Sequence, residues 1–301
     1  MALKVGLALG GGASRGLAHL GVLKALVEAK IPIDLITGVS IGGIIGSIFA
    51  AHPEIDTSIT NIRRFLNSED FNQTRLDFIK ESKQQSKSYY DQFKRLISTG
   101  FFFAISSTRS SFISQETFEW NLSHLIPKID LEDCPIPLGL VAMDLHSGKE
   151  KDFLTGKMMQ AVMATAAIPG VFPPIEIDQR RFVDGSWLVP VPVALARKMG
   201  ADLVIAVDVA PTLSQDQGPQ EHLSGWDVQL RASEASRMGL KECCMAGADH
   251  RITVDIMDLH WADFTRLDLC LKRGEAAAIR SLEAIERAIY AKRWRRRFGF
   301  N

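Results

Sequence analysis

Apolar runs and stretches of helical periodicity alternate from the start of the chain. Residues 3–9 (LKVGLAL) are rich in β-type positions and stop at a glycine turn, after which residues 16–29 place Leu17, Leu20, Leu23 and Val27 at helical spacing. A second strand is expected over 31–37 (IPIDLIT), then a turn around Ser40 and an apolar helix to about Ala51. This βαβα order predicts the α/β class, with a central, mostly parallel sheet covered by helices on both faces. Between 54 and 127 the pattern turns charged, serine-rich and mostly helical, with GFFFAISSTRSSF (100–112) in its midst. Strand patterns resume at 137–145, 151–155, 180–184, 201–209 and 250–256, and helical ones near 158–165, 191–199, 226–246 and 271–295. The expected layout is one α/β domain over 1–301, carrying a helical cap inserted at about 54–127 and a basic C-terminal helix over about 271–301.

Composition narrows the function classes. The chain of 301 residues is 46% apolar and carries 35 Lys plus Arg against 35 Asp plus Glu, so bulk charge gives no case for a nucleic-acid partner. Cys134, Cys243, Cys244 and Cys270 lack metal-site or disulfide-scaffold spacing and read as reduced thiols. The longest apolar stretch, residues 36–51, is shorter than the roughly 20 residues of a spanning helix and is glycine-rich. The first residues lack the h-region and cleavage site of a signal peptide, and the expected location is cytoplasmic.

Two turns carry candidate chemistry. GGGASRG (10–16) joins the first strand to the first helix, where glycines let the backbone approach a ligand and N–H groups favour an anion. Leu17 stands where a Walker A loop needs Lys and Ser/Thr, and Arg15 stands where a dinucleotide fingerprint needs glycine, which leaves an oxyanion hole as the third reading. GVSIG (38–42) matches the GxSxG elbow, in which Gly38 and Gly42 allow the tight turn that holds the Ser40 hydroxyl at a strand end. A right-handed crossover between the first two strands would bring both turns to one sheet edge.

Ser40 needs a base. None of the seven histidines (His19, His52, His124, His146, His222, His250, His260) has a setting that suits the task, whereas Asp184 closes the β run RRFVD and is followed by Gly185. Partial desolvation would raise the pKa of such a carboxylate and make it a workable base.

Taken in order, GGGASRG, GVSIG, ATAAIPGVFPP (164–174) and VDGSW (183–187) resemble the patatin-like phospholipase family, as do MGADLVIAVDVAP (199–211) and LHWADFTRLDLCLKRGEAAA (259–278). The resemblance runs from about residue 3 to 280 and leaves 54–115 unmatched. It implies a patatin-like fold related to the α/β-hydrolases. It also implies a Ser-Asp dyad without a catalytic histidine: Ser40 as nucleophile, Asp184 as base, Gly10, Gly11 and Gly12 as oxyanion-hole glycines, and Arg15 as the loop's basic residue. The implied reaction is hydrolysis of lipid acyl esters through an acyl-enzyme, with no metal and no cofactor. One departure is DGS at 184–186 where many members have DGG.

Pro169, Pro173 and Pro174 make 164–177 a rigid apolar connection, expected to support the site. GFFFAI (100–105) reads either as a lid or as the buried face of a cap helix. AKRWRRRFGF (291–300) reads either as a peripheral contact with an anionic membrane or as a solvated helix end whose cations complement the dipole. The expected partner is a lipid or acyl-ester substrate. Two alternatives stand beside this reading: an α/β-hydrolase esterase whose triad uses His250 or His260, and a catalytically weak regulatory or binding module.

Overall fold

A computed structural model of the chain describes residues 3–72, 111–210, 225–256 and 258–298. β1 (Val5–Leu9) lies inside the sheet, pairing in parallel with β2 (Leu35–Gly38) on one side and β7 (Leu203–Asp208) on the other. All five β1 residues are buried, as a strand sandwiched between two helical layers requires. Beyond β7 lies β8 (His250–Thr253), also parallel, and beyond β2 lies β3 (Leu138–Asp144). The far end turns antiparallel: β3 pairs with β4 (Glu150–Phe153) and β6 (Arg180–Asp184), and β6 with β5 (Ile175–Ile177). The sheet is thus mostly parallel, as the α/β reading anticipates, and turns antiparallel at one end.

Side chains alternate across the sheet. On one face Leu7, Leu9, Ile36, Leu203 and Ile205 join the core under α1 (Ala18–Glu28), α2 (Ile41–Ala51), α5 (Met158–Ala166) and the 31-residue α8 (Leu267–Arg297). On the other, Ala8, Leu35, Val204 and Ala206 pack with Val193 and Ala196 of α6 (Val193–Lys198) and with Met245 of α7 (Gly225–Met245). α3 (Ile55–Leu66) and α4 (Gln115–Ser123) bear out the helical reading of the ends of the polar excursion. GFFFAI at 100–105 lies outside the described residues.

Boundaries differ where tertiary contacts decide them. The second strand is shorter than 31–37, because Asp34 turns away to secure the start of β1: its carboxylate accepts the Val5 N–H at 2.7 Å and its own N–H donates to the Val5 carbonyl. β5 was not anticipated in the proline-rich connection. It forms through a tight hairpin at Asp178 and Gln179, both at positive φ (50° and 61°) as a two-residue primed turn demands. α8 runs from Asp268, paired with Arg63, to Lys292 and Arg296, paired with Asp249 and Asp202 near the starts of β8 and β7. At about 1.5 Å per residue it traverses roughly 45 Å.

Candidate active site

β3 is the template that brings the two halves of the site together. Leu140 lies between Gly38 of β2 and Phe153 of β4, and Ala142 lies between Asp184 of β6 and Lys151 of β4. β2 and β6 therefore occupy the same edge of β3 in succession, with β4 on the other. β2 leaves that edge after Gly38, Ser40 follows two residues later, and Asp184 takes up the edge two residues further along β3. Ser40 and Asp184 are brought close because one strand hands its edge from one partner to the next.

Ser40 stands at φ 56°, ψ −131°, a conformation that costs a non-glycine residue about 1–3 kcal/mol. The turn is held from both sides. The Ser40 N–H donates to the carbonyl and the hydroxyl oxygen of Thr165 at 3.1 Å each, and the Thr165 hydroxyl donates onward to the Val141 carbonyl at 2.5 Å. A β-carbon on Gly42 would stand 2.3 Å from the Leu9 carbonyl oxygen, so only glycine lets α2 start this close to the end of β1. α2 begins at Ile41, and the positive end of its dipole lies at the Ser40 turn.

Asp184 is 2% exposed. Its carboxylate accepts the Ser186 N–H at 2.8 Å, and the hydroxyls of Ser40 and Ser186 lie close enough to influence it. Burial raises its pKa above the usual carboxylate range, while these polar neighbours and the charge of Arg237 pull the other way. The DGS departure thus has a physical consequence, since a glycine at 186 would bring no hydroxyl to the carboxylate. Gly185 admits no β-carbon, which would lie 2.4 Å from the Val141 carbonyl oxygen.

The glycine turn reaches the same edge: a β-carbon on Gly11 would lie 3.3 Å from that of Ser40 and 3.0 Å from that of Ser186. The expectation for its amides needs correction at two positions. The Gly10 N–H donates to the Val207 carbonyl and the Gly11 N–H to the Pro190 carbonyl, both at 3.1 Å, so both donors are taken by the fold. Among the described residues no acceptor takes the N–H of Gly12 or Ala13. Arg15 donates through Nε to the Leu259 carbonyl, and Ser14 donates to the carbonyls of His260 and Trp261, tying the loop to residues 259–261.

Three described histidines have settings of their own. His19 is fully buried, its Nε2–H donating to the Gly10 carbonyl at 2.8 Å, and burial pushes its pKa down to about 4, so the ring is a neutral prop under the loop. His250 pairs with Ile205 at the start of β8, at the sheet edge opposite Ser40. The His260 Nδ1 accepts the Ala262 N–H at 3.3 Å.

Ser40 opens into an apolar cavity of about 200 Å³. Ile41, Ile44 and Ile45 of α2 form its floor, Ile62, Phe65 and Leu66 of α3 and Phe118 and Leu122 of α4 its walls, and Ile168, Val171, Phe172, Trp261 and Phe264 its remaining sides. Ala13 lines it beside Ser40. The proline-rich connection, expected to support the site, supplies Ile168, Val171 and Phe172. Sequence reasoning missed the part played by α3 and α4, for which the one available signal was the amphipathic spacing of Ile55, Ile59, Ile62 and Leu66.

The family model for patatin-like phospholipase matches residues 7–197, a stretch that contains the glycine turn, Ser40 and Asp184. The chain is 28% identical over 225 residues to patatin-like phospholipase domain-containing protein 7 of Mus musculus, covering 74% of this chain and 15% of that protein. It is 28% identical over 244 residues to lysophospholipase NTE1 of Mycosarcoma maydis, covering 78% of this chain and 11% of that protein. The chain thus spans a small fraction of the length of these relatives. VipD from Legionella pneumophila aligns over 94% of this chain and 67% of its own with a TM-score of 0.46 and 15% identity. With a family model matched across the glycine turn, the serine elbow and the buried aspartate alike, the chain belongs to the patatin-like phospholipase family.

Proposed function

We propose that this protein is a serine lipid acyl hydrolase that cleaves fatty-acyl esters with Ser40 as nucleophile and Asp184 as its base. The observation that carries the reading is a buried carboxylate close enough to the Ser40 hydroxyl to feel it, beside an apolar cavity that Ser40 lines. Family membership and the relative named a lysophospholipase support it. In the first half-reaction Asp184 takes the Ser40 proton as Oγ bonds to the ester carbonyl carbon, and the carbonyl π electrons move onto oxygen. The Gly12 and Ala13 N–H groups, with the α2 dipole, hold that oxyanion. The intermediate collapses, the ester C–O bond breaks, and Asp184 returns its proton to the departing alcohol. Water then attacks the acyl-serine with Asp184 again as base, the bond to Oγ breaks, Ser40 regains its proton and the fatty acid leaves.

The cavity sets what the acyl part must be. Its lining is almost wholly hydrocarbon, and each buried methylene contributes about 0.8 kcal/mol. The geometry gives no support to the triad reading with His250, which lies at the far end of β8. The test is fatty-acid release from a lysophospholipid and from p-nitrophenyl esters of increasing chain length. The expected outcome is turnover that improves with chain length and falls at least a thousandfold in Ser40→Ala and in Asp184→Asn, the order of loss when a nucleophile or its base is removed. Turnover that survives Ser40→Ala would contradict the reading.

A further inference from the structure

The apolar cavity accounts for the acyl half of an ester and leaves the alcohol half without a site. Trp187 ends the short turn Gly185–Trp187 that follows Asp184, and its indole is 46% exposed. The guanidinium of Arg237 lies 5.1 Å from the centroid of that ring. Arg237 belongs to α7, which reaches the sheet through Met245 on the face opposite the cavity and lies over Leu188, whose carbonyl oxygen stands 4.0 Å from the Cys244 sulfur. Other charged residues of this part of α7 are engaged within the fold: Lys241 pairs with Asp208 at 2.7 Å, both buried, and Glu242 with Arg251. Arg237 rests on the indole instead. A guanidinium held over a ring by cation–π attraction keeps N–H donors to offer the oxygens of a phosphate.

The position agrees with the direction of the chemistry and rests on the acyl-hydrolase reading. Asp184 protonates the leaving oxygen, so the alcohol departs past Asp184. The residues that follow it, Ser186 and Trp187, border that exit, and Arg237 is close enough for its charge to act on the carboxylate without being among its hydrogen-bonding partners. The acyl chain enters the cavity on one side of Ser40 and the alcohol leaves on the other. We propose that Arg237, carried on Trp187, forms a leaving-group subsite that selects esters whose alcohol half bears a phosphate.

The test compares two substrates with the same acyl chain, a 1-acylglycerol 3-phosphate and the corresponding 1-acylglycerol, both below their aggregation thresholds. The expected result is that the ratio of their kcat/KM values falls about tenfold in Arg237→Gln, with a smaller fall in Arg237→Lys, which keeps the charge and loses the planar fork. Any influence of Arg237 on Asp184 acts on both substrates and cancels in the ratio. A ratio unchanged within twofold in Arg237→Gln would overturn the proposal. The same comparison is made by equilibrium binding to Ser40→Ala, where adding Arg237→Gln is expected to weaken the phosphate-bearing lipid about tenfold and the neutral one far less. Equal weakening of both, or of neither, would overturn the subsite whether or not any ester turns over. Phosphate-selective binding in a protein that hydrolyses no ester would instead retain the subsite and dismiss the hydrolase.

Discussion

At the scale of single residues, the site rests on one carboxylate kept in an unfavourable place. Asp184 is buried, and its raised pKa means that the folded protein holds a proton there more tightly than the unfolded chain does. Its contribution to stability is therefore fully present below about pH 4 and is lost as pH rises through the folded-state value. Asp184→Asn should match wild type in Tm near pH 4 and gain on it as pH rises above that, measured by thermal denaturation across a pH series. A variant that becomes less stable than wild type as pH rises would contradict the account of this carboxylate. Ser40 and Asp184 were legible in the sequence because each is announced by its neighbours, a glycine-flanked serine after one apolar run and a glycine-followed aspartate at the end of another. The fates of the Gly10 and Gly11 amides were not, because their acceptors, Val207 and Pro190, lie far along the chain and no local pattern names them. The support from His19 was hidden for the same reason: a histidine within a helix gives no sign that its ring ends on the Gly10 carbonyl.

At the scale of elements, local sequence gave away the strands and helices of the parallel half, where buried β runs alternate with periodic helices. The antiparallel end was harder. β5 has three residues and exists through its pairing with β6, which no periodicity of its own could announce. The polar excursion was legible as helical and silent about purpose, since α3 and α4 become cavity walls only when laid against α2. On the proposed reading, chain-length preference is a property of α2 and its partners. Ile44→Phe, on the α2 floor, should fill part of the cavity and lower kcat/KM on long-chain p-nitrophenyl esters about tenfold while short-chain esters change by less than threefold. Equal losses at every chain length would show that the acyl chain does not lie there.

At the scale of the whole molecule, the sheet separates the two ends of the proposed chemistry. The cavity belongs to the face under α1, α2 and α5, Arg237 and Trp187 to the side of α6 and α7, and Ser40 with Asp184 to the rim between them. The same geometry bears on the basic, aromatic end of α8. Trp294 and Phe298 are exposed, with ring centroids 4.7 Å apart, but Lys292 and Arg296 are paired with Asp249 and Asp202, at the sheet edge opposite Ser40. That segment is therefore remote from the cavity mouth, a separation that composition alone could not convey. Among the described residues no helix is long and apolar enough to cross a membrane. The central claim is that Ser40 is an activated nucleophile whose base is Asp184. The most direct measurement is intact-mass analysis and peptide mapping after reaction of the folded protein with a fluorophosphonate, in wild type, Ser40→Ala and Asp184→Asn. The account predicts a single adduct on Ser40, absent in Ser40→Ala and strongly slowed in Asp184→Asn. An unlabelled Ser40 in folded wild type, or labelling at an undiminished rate in Asp184→Asn, would contradict it.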